Sequence, residues 1–259
     1  MHLSRTRTLA ILVILIEIVA IASIPCCVSA ATKRTVLPRV IAVPILTYHY
    51  IRPLDGLDAS GRSLSVSPVH FEMQMEQLVL QGYHAITPAQ LDAALTNGDP
   101  LPSKPIMITF DDGYYDQFQN ALPVLVRLHL PATMFIVSGF LNRYGYMYES
   151  TVRAADATGL ITIGAHTQHH MNLTTISTLR AHNEILGSKA DLERILNHPI
   201  TAFAYPFGSY STPLLREVAA DGFHLAFTTV NGDRQSSQIR YQLERSHVRD
   251  APTISWLSR

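Results

Sequence analysis

The chain reads Ile106-Met107-Ile108-Thr109-Phe110-Asp111-Asp112-Gly113 at the point that decides its fold. The apolar, β-branched beginning of this stretch is typical of a strand buried on both faces of a parallel sheet. Adjacent side chains of a strand point to opposite faces, so both carboxylates can reach one site only if the backbone bends there. Gly113 permits such a bend because it lacks a Cβ atom. The stretch predicts either a carboxylate site at a strand end or a polar turn in which Asp112 or Asp116 caps the next helix.

A second apolar strand, predicted from Leu160 to Ala165, also ends in possible metal ligands. It continues as His166-Thr167-Gln168-His169-His170. His166 and His170 are four residues apart, so one helical turn or a tight loop can direct both at one ion. Two histidines and one aspartate suit Zn²⁺ or a similar ion and leave a ligand position open, which is typical of a catalytic rather than a structural site. The alternative is a group of surface or core-edge histidines.

The two strand ends together resemble a known family. Thr109 to Gly113 and His166 to His170 are similar to the first two motifs, T-F-D-D-G and H-[ST]-x-x-H, of the polysaccharide deacetylases, the NodB-like carbohydrate esterases of family 4. The resemblance runs from about Val43 to the C-terminus, and Pro44 to Ile51 resembles the P-I-L-x-Y-H-x-I entry strand of one branch. It implies an α/β fold, a distorted (β/α)7 barrel. The alternation of predicted strands and helices independently indicates a parallel β/α architecture.

The resemblance also implies a set of catalytic roles. Asp112, His166 and His170 would hold a divalent metal ion, Zn²⁺ in the first place, with Co²⁺ or Ni²⁺ as alternatives. Metal-bound water would attack an acetyl carbonyl, with Asp111 as the base that takes up the proton and a histidine as the acid.

A third stretch, Tyr205-Pro206-Phe207-Gly208, is similar to the family motif that binds substrate and stabilises the oxyanion through a backbone N–H, here that of Phe207. Tyr205, Pro206 and Phe207 are therefore predicted to bind substrate. The family usually has an arginine two residues before the proline to hold the base, but this chain has Ala204 there. Arg245 resembles a late arginine of the same branch and is the predicted replacement.

The general acid is the least determined role. In the branch that the chain resembles, the N-terminal Tyr-His pair supplies the acid, which makes His49 the predicted donor. His247 is the rival on spacing alone. A purely structural role for His49, hydrogen-bonded to the backbone beneath the site, is the remaining alternative.

Composition limits the class of partner. Lys plus Arg and Asp plus Glu both total 20, so no net field favours nucleic acid or an anionic membrane. The expected partner is instead a polysaccharide or oligosaccharide substrate. Residues 140–148 form an aromatic, glycine-containing loop, predicted either to offer sugar-stacking faces or to pack inward.

The N-terminus predicts export. Residues 1–30 combine Arg5 and Arg7, an apolar run and a small-residue end at Ala30, which is the layout of a secretory signal. An uncleaved membrane anchor is the alternative. We expect 31–42 to be a lead segment and 43–259 the deacetylase domain. That domain contains no cysteine, because both cysteines lie before residue 31. The expected location is secreted, periplasmic or cell-surface.

The sequence therefore predicts a metal-dependent N-deacetylase of an extracellular or cell-envelope polymer of the N-acetylglucosamine type. An O-acetyl esterase acting on a xylan-like glycan and a catalytically silent carbohydrate-binding protein are the alternatives. Asp111 argues against the silent protein, because binding alone needs no free carboxylate beside the metal ligands.

Overall fold

The structure, a computed structural model, describes residues 38–258. The strands of this region are β1 (Val40–Ala42), β2 (Ile45–Tyr48), β3 (Tyr50–Ile51), β4 (Ser65–Val66), β5 (His84–Ala85), β6 (Pro105–Phe110), β7 (Ala132–Ile136), β8 (Ile161–Ala165), β9 (Ala202–Ala204), β10 (Leu225–Phe227), β11 (Arg234–Ser236) and β12 (Ser246–His247). The α-helices are α1 (Ala59–Ser63), α2 (Pro68–Leu80), α3 (Pro88–Thr96), α4 (Leu122–Leu128), α5 (Glu149–Asp156), α6 (Thr178–Leu196) and α7 (Thr212–Ala220).

One curled parallel sheet carries the fold. Its strands follow the order β10-β9-β8-β7-β6-β2-β12, with β5 beside β6, and all of these neighbours pair in parallel. At one end β12 pairs with β2. At the other, the N–H of Leu243 donates to the carbonyl of Ala226 and its carbonyl accepts from the N–H of Thr228, both at 2.9 Å. The segment 243–247 thus links both ends of the sheet, and the predicted α/β fold is confirmed.

Helix boundaries follow from local sequence. Ser67 caps α2 through its side chain, with Pro68 in the first turn, and Thr87 and Gln90 form a reciprocal capping box at the start of α3. The buried face of α2 includes Phe71, Met75 and Leu78, the spacing of one helical stripe. These residues belong to one apolar cluster with the sheet, and a second cluster joins strand residues such as Ile45 and Phe227 to Leu91 of α3.

Two apolar helix residues are exposed. The helical periodicity of the sequence predicts that Val79 of α2 and Leu179 of α6 face inward, but they are 45% and 72% exposed. Val79 lies four residues after the buried Met75 but directly after Leu78, which places it at the exposed edge of the buried stripe of α2. Leu179 lies two residues before the buried Ala181, and this offset does not place the two side chains on one helical face.

Two predicted segments also differ from the structure. The Gly, Ser and Asp content of residues 53–68 predicts a long loop, but the segment contains α1 and β4, because Asp58 accepts a hydrogen bond from the N–H of Gly61 and starts a short helix. The pattern of residues 240–248 predicts one strand, but the segment pairs regularly only at Ser246–His247. The reason is that this segment passes from the edge of β10 to the edge of β2.

The predicted lead segment ends in the domain. Its last three described residues form β1, which pairs antiparallel with β11. The predicted signal segment, residues 1–30, lies outside the described residues. Among the residues that the structure describes, no helix combines the length and the apolar character needed to cross a membrane.

Candidate active site

The predicted functional residues meet at the carboxyl ends of the parallel strands. His49 follows β2, Asp111 and Asp112 follow β6, and His166 follows β8. Loops at this end of a parallel sheet face one common space, which is where β/α folds carry their sites. The space is a cleft of about 530 Å³, called the catalytic cleft below. Its walls include eight residues singled out from sequence: His49, Asp111, Asp112, His166, His170, Phe207, Arg245 and His247.

Three possible metal ligands converge in this cleft. One ligand atom from each of Asp112, His166 and His170 lies within 4.8 Å of the others. Oδ1 of Asp112 is 3.4 Å from Nε2 of His166 and 3.2 Å from Nε2 of His170. The structure therefore brings the predicted trio together, and its ligand role stays a prediction.

Left-handed backbone conformations create this convergence. Asp112 has φ 74° and Gly113 φ 75°, which turns the chain sharply after Asp111 and lets the second carboxylate enter the cleft. In the histidine stretch, Thr167 and His170 have φ 64° and 54°. Such conformations cost a non-glycine residue about 1–3 kcal/mol each and are concentrated at functional sites. The rest of the fold therefore stabilises a locally strained arrangement of side chains.

His166 is oriented by a backbone carbonyl. Its Nδ1–H donates to the carbonyl oxygen of Ala204 at 2.7 Å, which leaves Nε2 unprotonated and directed at Asp112 in the neutral ring. A ligating histidine is commonly held in this way through its other ring nitrogen. Burial lowers the pKa of His166, but the carboxylates of Asp112 and Asp111 outweigh burial, so its pKa lies above the ordinary value.

The donor set fits a divalent cation. Oδ1 of Asp112 is buried without a hydrogen-bond partner among residues 38–258. A buried carboxylate oxygen normally has a partner, so this atom is suited to a cation. Burial and the neighbouring His166 lower the pKa of His170, which favours its neutral, ligating form. Two imidazoles and one carboxylate match the ligand preferences of zinc and of similar first-row metals.

Asp111 lies beside the three possible ligands, but its carboxylate forms a buried ion pair with Arg245. Two guanidinium N–H groups donate to its two carboxylate oxygens, each at 2.7 Å. The guanidinium also donates to the carbonyl of Thr228 at 2.8 Å and to Oγ1 of Thr109 at 3.2 Å. Burial raises the pKa of Asp111, but Arg245 outweighs burial and holds the pKa well below its usual range. Arg245 thus occupies the position that the resemblance assigned to a replacement arginine.

The two candidate acids differ in their contacts. Nδ1 of His49 is buried with no hydrogen-bond partner within the described region, which does not favour a purely structural role. Burial lowers the pKa of His49, with Asp111 and Asp112 acting in the opposite direction. His247 is exposed, and its Nε2–H donates to the carbonyl of Ser63 at 2.7 Å. The ring centroids of the two histidines are 5.8 Å apart.

The third motif contributes one residue to the cleft. Phe207 is 61% exposed, has φ 59°, and lies 4.7 Å from the ring of His170 between centroids. The side chains of Tyr205 and Pro206 do not line the cleft, and their contact with substrate stays a prediction. Tyr205 is fully buried and its hydroxyl donates to the carbonyl of Tyr241 at 3.1 Å, and Pro206 is buried outside the cleft wall.

Two further side chains support the site. His169 points away, and its Nδ1–H donates to Glu184 of α6 at 2.9 Å. Sequence reasoning missed Gln117, whose buried amide donates to the carbonyls of both His49 and Asp111 at 2.8 and 2.6 Å. This brace fixes the two loops relative to each other. Only its position six residues after Asp111 could have suggested it.

Comparison with known proteins identifies the family. A family model described as Polysaccharide deacetylase matches residues 98–226. The chain is 32% identical over 213 residues to the Bacillus subtilis protein YxkH, assigned to the polysaccharide deacetylases, a match covering 82% of this chain and 73% of that protein. The chain belongs to the polysaccharide deacetylase family. It is therefore a hydrolase that removes acetyl groups from a polysaccharide.

Other relatives agree with this identification. The deacetylase is 24% identical over 206 residues to a poly-β-1,6-N-acetyl-D-glucosamine N-deacetylase of Staphylococcus epidermidis, a match covering 71% of each chain. The Streptococcus pyogenes deacetylase PplD, solved in complex with acetate, has a TM-score of 0.77 and 26% identity, covering 83% of this chain and 96% of that one. BC0361, a polysaccharide deacetylase from Bacillus cereus, has a TM-score of 0.74 and 27% identity, covering 85% and 68%.

Proposed function

We propose that this deacetylase is a metal-dependent N-deacetylase of a polymer of the N-acetylglucosamine type. The proposal rests on one observation above all: the ligand atoms of Asp112, His166 and His170 converge beside a second carboxylate that Arg245 holds ionised. A divalent ion bound by the trio supplies a Lewis acid for the acetyl carbonyl and lowers the pKa of a water from 15.7 towards about 7.

Asp111 acts as the base in this proposal. Its carboxylate stays ionised because of Arg245, so it is available to take a proton from the attacking water at neutral pH. The low pKa makes it a weak base, which suits a water that is already acidified. Asp111 is held at both oxygens, so its position relative to the cleft is well defined.

His49 supplies the proton for the departing amine. Nδ1 of its ring has no competing partner among the described residues, whereas His247 already donates to the carbonyl of Ser63. The backbone N–H of Phe207 is the proposed donor to the oxyanion of the tetrahedral intermediate. The left-handed backbone at Phe207 supports this role, because it turns the peptide at the cleft wall.

The relative from Staphylococcus epidermidis supports the substrate class, because it is named a poly-β-1,6-N-acetyl-D-glucosamine N-deacetylase. The neutral total charge of the chain suits an uncharged polymer. The same residues could release acetate from an O-acetylated xylan, so ester and amide substrates must be compared directly. We also propose that the enzyme is exported and acts outside the cytoplasm, on the basis of the secretory pattern of residues 1–30.

An acetate-release screen tests the function. Purified enzyme would be offered β-1,6- and β-1,4-linked N-acetylglucosamine oligomers, peptidoglycan and acetylxylan. We expect release from an N-acetylglucosamine polymer that a chelator abolishes and that Zn²⁺, Co²⁺ or Ni²⁺ restores. Release from acetylxylan alone would make the enzyme an O-acetyl esterase. Release that survives complete chelation would contradict the metal dependence.

Metal content tests the ligand trio separately. Asp112→Asn and His166→Ala should lose the ion, measured by elemental analysis. His182→Ala is the matched control, because His182, Glu217 and Asp221 form a second group of possible ligands among residues 38–258. If only the His182 variant lost the ion, the metal site would be the second group and not the trio.

A further inference from the structure

A second cleft adjoins the catalytic cleft and is dominated by tyrosine. Its volume is about 500 Å³. Six of the chain's 11 tyrosines line it, namely Tyr50, Tyr114, Tyr115, Tyr144, Tyr146 and Tyr148. We call it the tyrosine cleft. Packing does not account for all six, since Tyr144 is fully exposed and Tyr148 is 47% exposed.

The two clefts share a wall. Tyr114 lines both of them. Two chain segments also alternate between the clefts: His49 lines the first and Tyr50 the second, and Asp112 is followed two residues later by Tyr114. A strand advances only about 3.3 Å per residue. The next units of a polymer with one unit in the catalytic cleft can therefore reach the tyrosine cleft.

The tyrosine rings are held in fixed positions. Arg52 lies 3.5 Å above the ring of Tyr50, which stacks on Tyr114 at 3.7 Å between centroids, with Tyr146 another 5.1 Å away. The aromatic loop is fastened to the turn after the catalytic aspartates, because the N–H of Met147 donates to the carbonyl of Gly113 at 2.9 Å. Since the side chain of Met147 is fully buried, the loop is anchored from inside while its exposed rings stay available.

The chemistry of the cleft fits an uncharged sugar. Arg52 and Asp116 are its only charged lining residues among those described, and they have opposite signs. A polyanion such as nucleic acid would need a positive groove beside the stacking rings. Aromatic faces combined with hydroxyl groups offer apolar contact and hydrogen bonds together, which suits a neutral glycan.

We propose that the tyrosine cleft binds the sugar residues next to the one being deacetylated, so that the enzyme prefers chains over single sugars. This inference rests on the proposed function, since it assumes that the scissile acetyl group lies in the catalytic cleft. The exposed rings of Tyr144 and Tyr148 supply the principal contact faces. The aromatic loop predicted from sequence thus presents some rings to solvent and buries its anchor.

The test compares chain lengths. Acetate release would be measured on N-acetylglucosamine and its oligomers up to the pentamer, and the quantity of interest is the ratio of kcat/KM for the pentamer to that for the dimer. We expect this ratio to exceed one in the wild type. It should fall about 2- to 12-fold in Tyr144→Ala or Tyr148→Ala, the effect of losing one aromatic contact. Tyr144→Phe should keep most of the wild-type ratio.

Leu179→Ala is the matched control, because Leu179 is 72% exposed and lines neither cleft. Replacement of the fully exposed Tyr144 leaves the core intact, which thermal unfolding would verify. A wild-type ratio of one, or tyrosine variants with the wild-type ratio, would overturn the inference while the deacetylase function stands.

A binding measurement distinguishes an error in the assignment of the tyrosine cleft from an error in the proposed substrate. If no N-acetylglucosamine oligomer releases acetate, calorimetry on the Asp111→Asn protein would be done with pentamers of N-acetylglucosamine, glucose and xylose. Binding of one pentamer that weakens in Asp111→Asn/Tyr144→Ala supports the tyrosine cleft and corrects the sugar. Equal affinity in both proteins, or no binding of any pentamer, refutes it.

Discussion

Replacement of Arg245 by methionine tests the ion pair on which the proposed base depends. Arg245 is 1% exposed and gives Asp111 two hydrogen bonds of 2.7 Å. Methionine fills much of the same space but leaves the carboxylate buried and unpaired. Removing one partner of a buried pair costs about 3–5 kcal/mol. We therefore expect the free energy of unfolding at pH 7 to fall by about that amount, and the Tm by roughly 6–20 °C for a domain of this size.

The pH dependence of this loss has a definite sign. In the wild type the folded pKa of Asp111 lies below its unfolded value, so its stabilising contribution exists above the unfolded pKa and is lost as pH falls through the folded pKa. In Arg245→Met, burial is opposed only by the nearby His166 and His49, so the folded pKa of Asp111 rises above its wild-type value. The unpaired charge then destabilises the fold at neutral pH, and protonation relieves this as pH falls. The stability gap between the two proteins should therefore shrink from pH 7 towards about pH 4.

Urea denaturation of chelator-treated protein measures this gap without the stabilisation that a bound ion adds. Arg127→Met is the matched control: Arg127 is 48% exposed and pairs with Glu72 on the surface, so its loss should cost less than about 1 kcal/mol. A loss of similar size in both variants, or a gap that widens at acid pH, would refute the reasoning. If Arg245→Met does not fold, the double variant with Asp111→Asn should regain stability, because no buried charge then lacks a partner.

Three further outcomes are expected. Asp111→Asn should keep its metal by elemental analysis but turn over about 10²–10⁴ times more slowly; loss of metal would exchange the roles of the two aspartates. His49→Ala should depress amide hydrolysis more than hydrolysis of an activated aryl acetate, because an amine leaves poorly without a proton. If His247→Ala showed this selective loss of amide hydrolysis instead, His247 would be the general acid. Gly113→Ala should lower the free energy of unfolding by about 1–3 kcal/mol, because φ is 75° at this position and the new Cβ would lie 3.0 Å from Cδ1 of Ile136. Thermal unfolding measures this loss, and an unchanged Tm would contradict it.

The convergence of Asp112, His166 and His170 could be predicted because its signals are local. Asp112 ends one apolar run and His166 follows another, and the carboxyl ends of parallel strands share one edge. Neither inference requires knowledge of how distant segments pack. The capped starts of α2 and α3 are local in the same way, because Ser67-Pro68 and Thr87-Pro88 are typical helix starts in the sequence itself.

Contacts between residues far apart in the chain could not be predicted from local sequence patterns. The carbonyl of Ala204 orients His166 although the two are 38 residues apart, and a backbone acceptor has no sequence signature. The burial of Tyr205 was missed for the same reason, because its hydroxyl donates to the backbone carbonyl of Tyr241, 36 residues away. Arg245 was found only through a family resemblance, since its partner Asp111 lies 134 residues away.

The link between the two ends of the sheet has a consequence for how activity arises during folding. Segment 243–247 contacts β10 on one side and β2 on the other, and it carries Arg245. The chain is made from its N-terminus, so Asp111 emerges long before its counter-ion does. Contacts between residues so distant in sequence form late, because the loop that joins them must close first. Until then Asp111 lacks the charge that keeps it ionised in its buried position. Onset of deacetylation in a refolding experiment is therefore expected to follow docking of this C-terminal segment rather than formation of the helices.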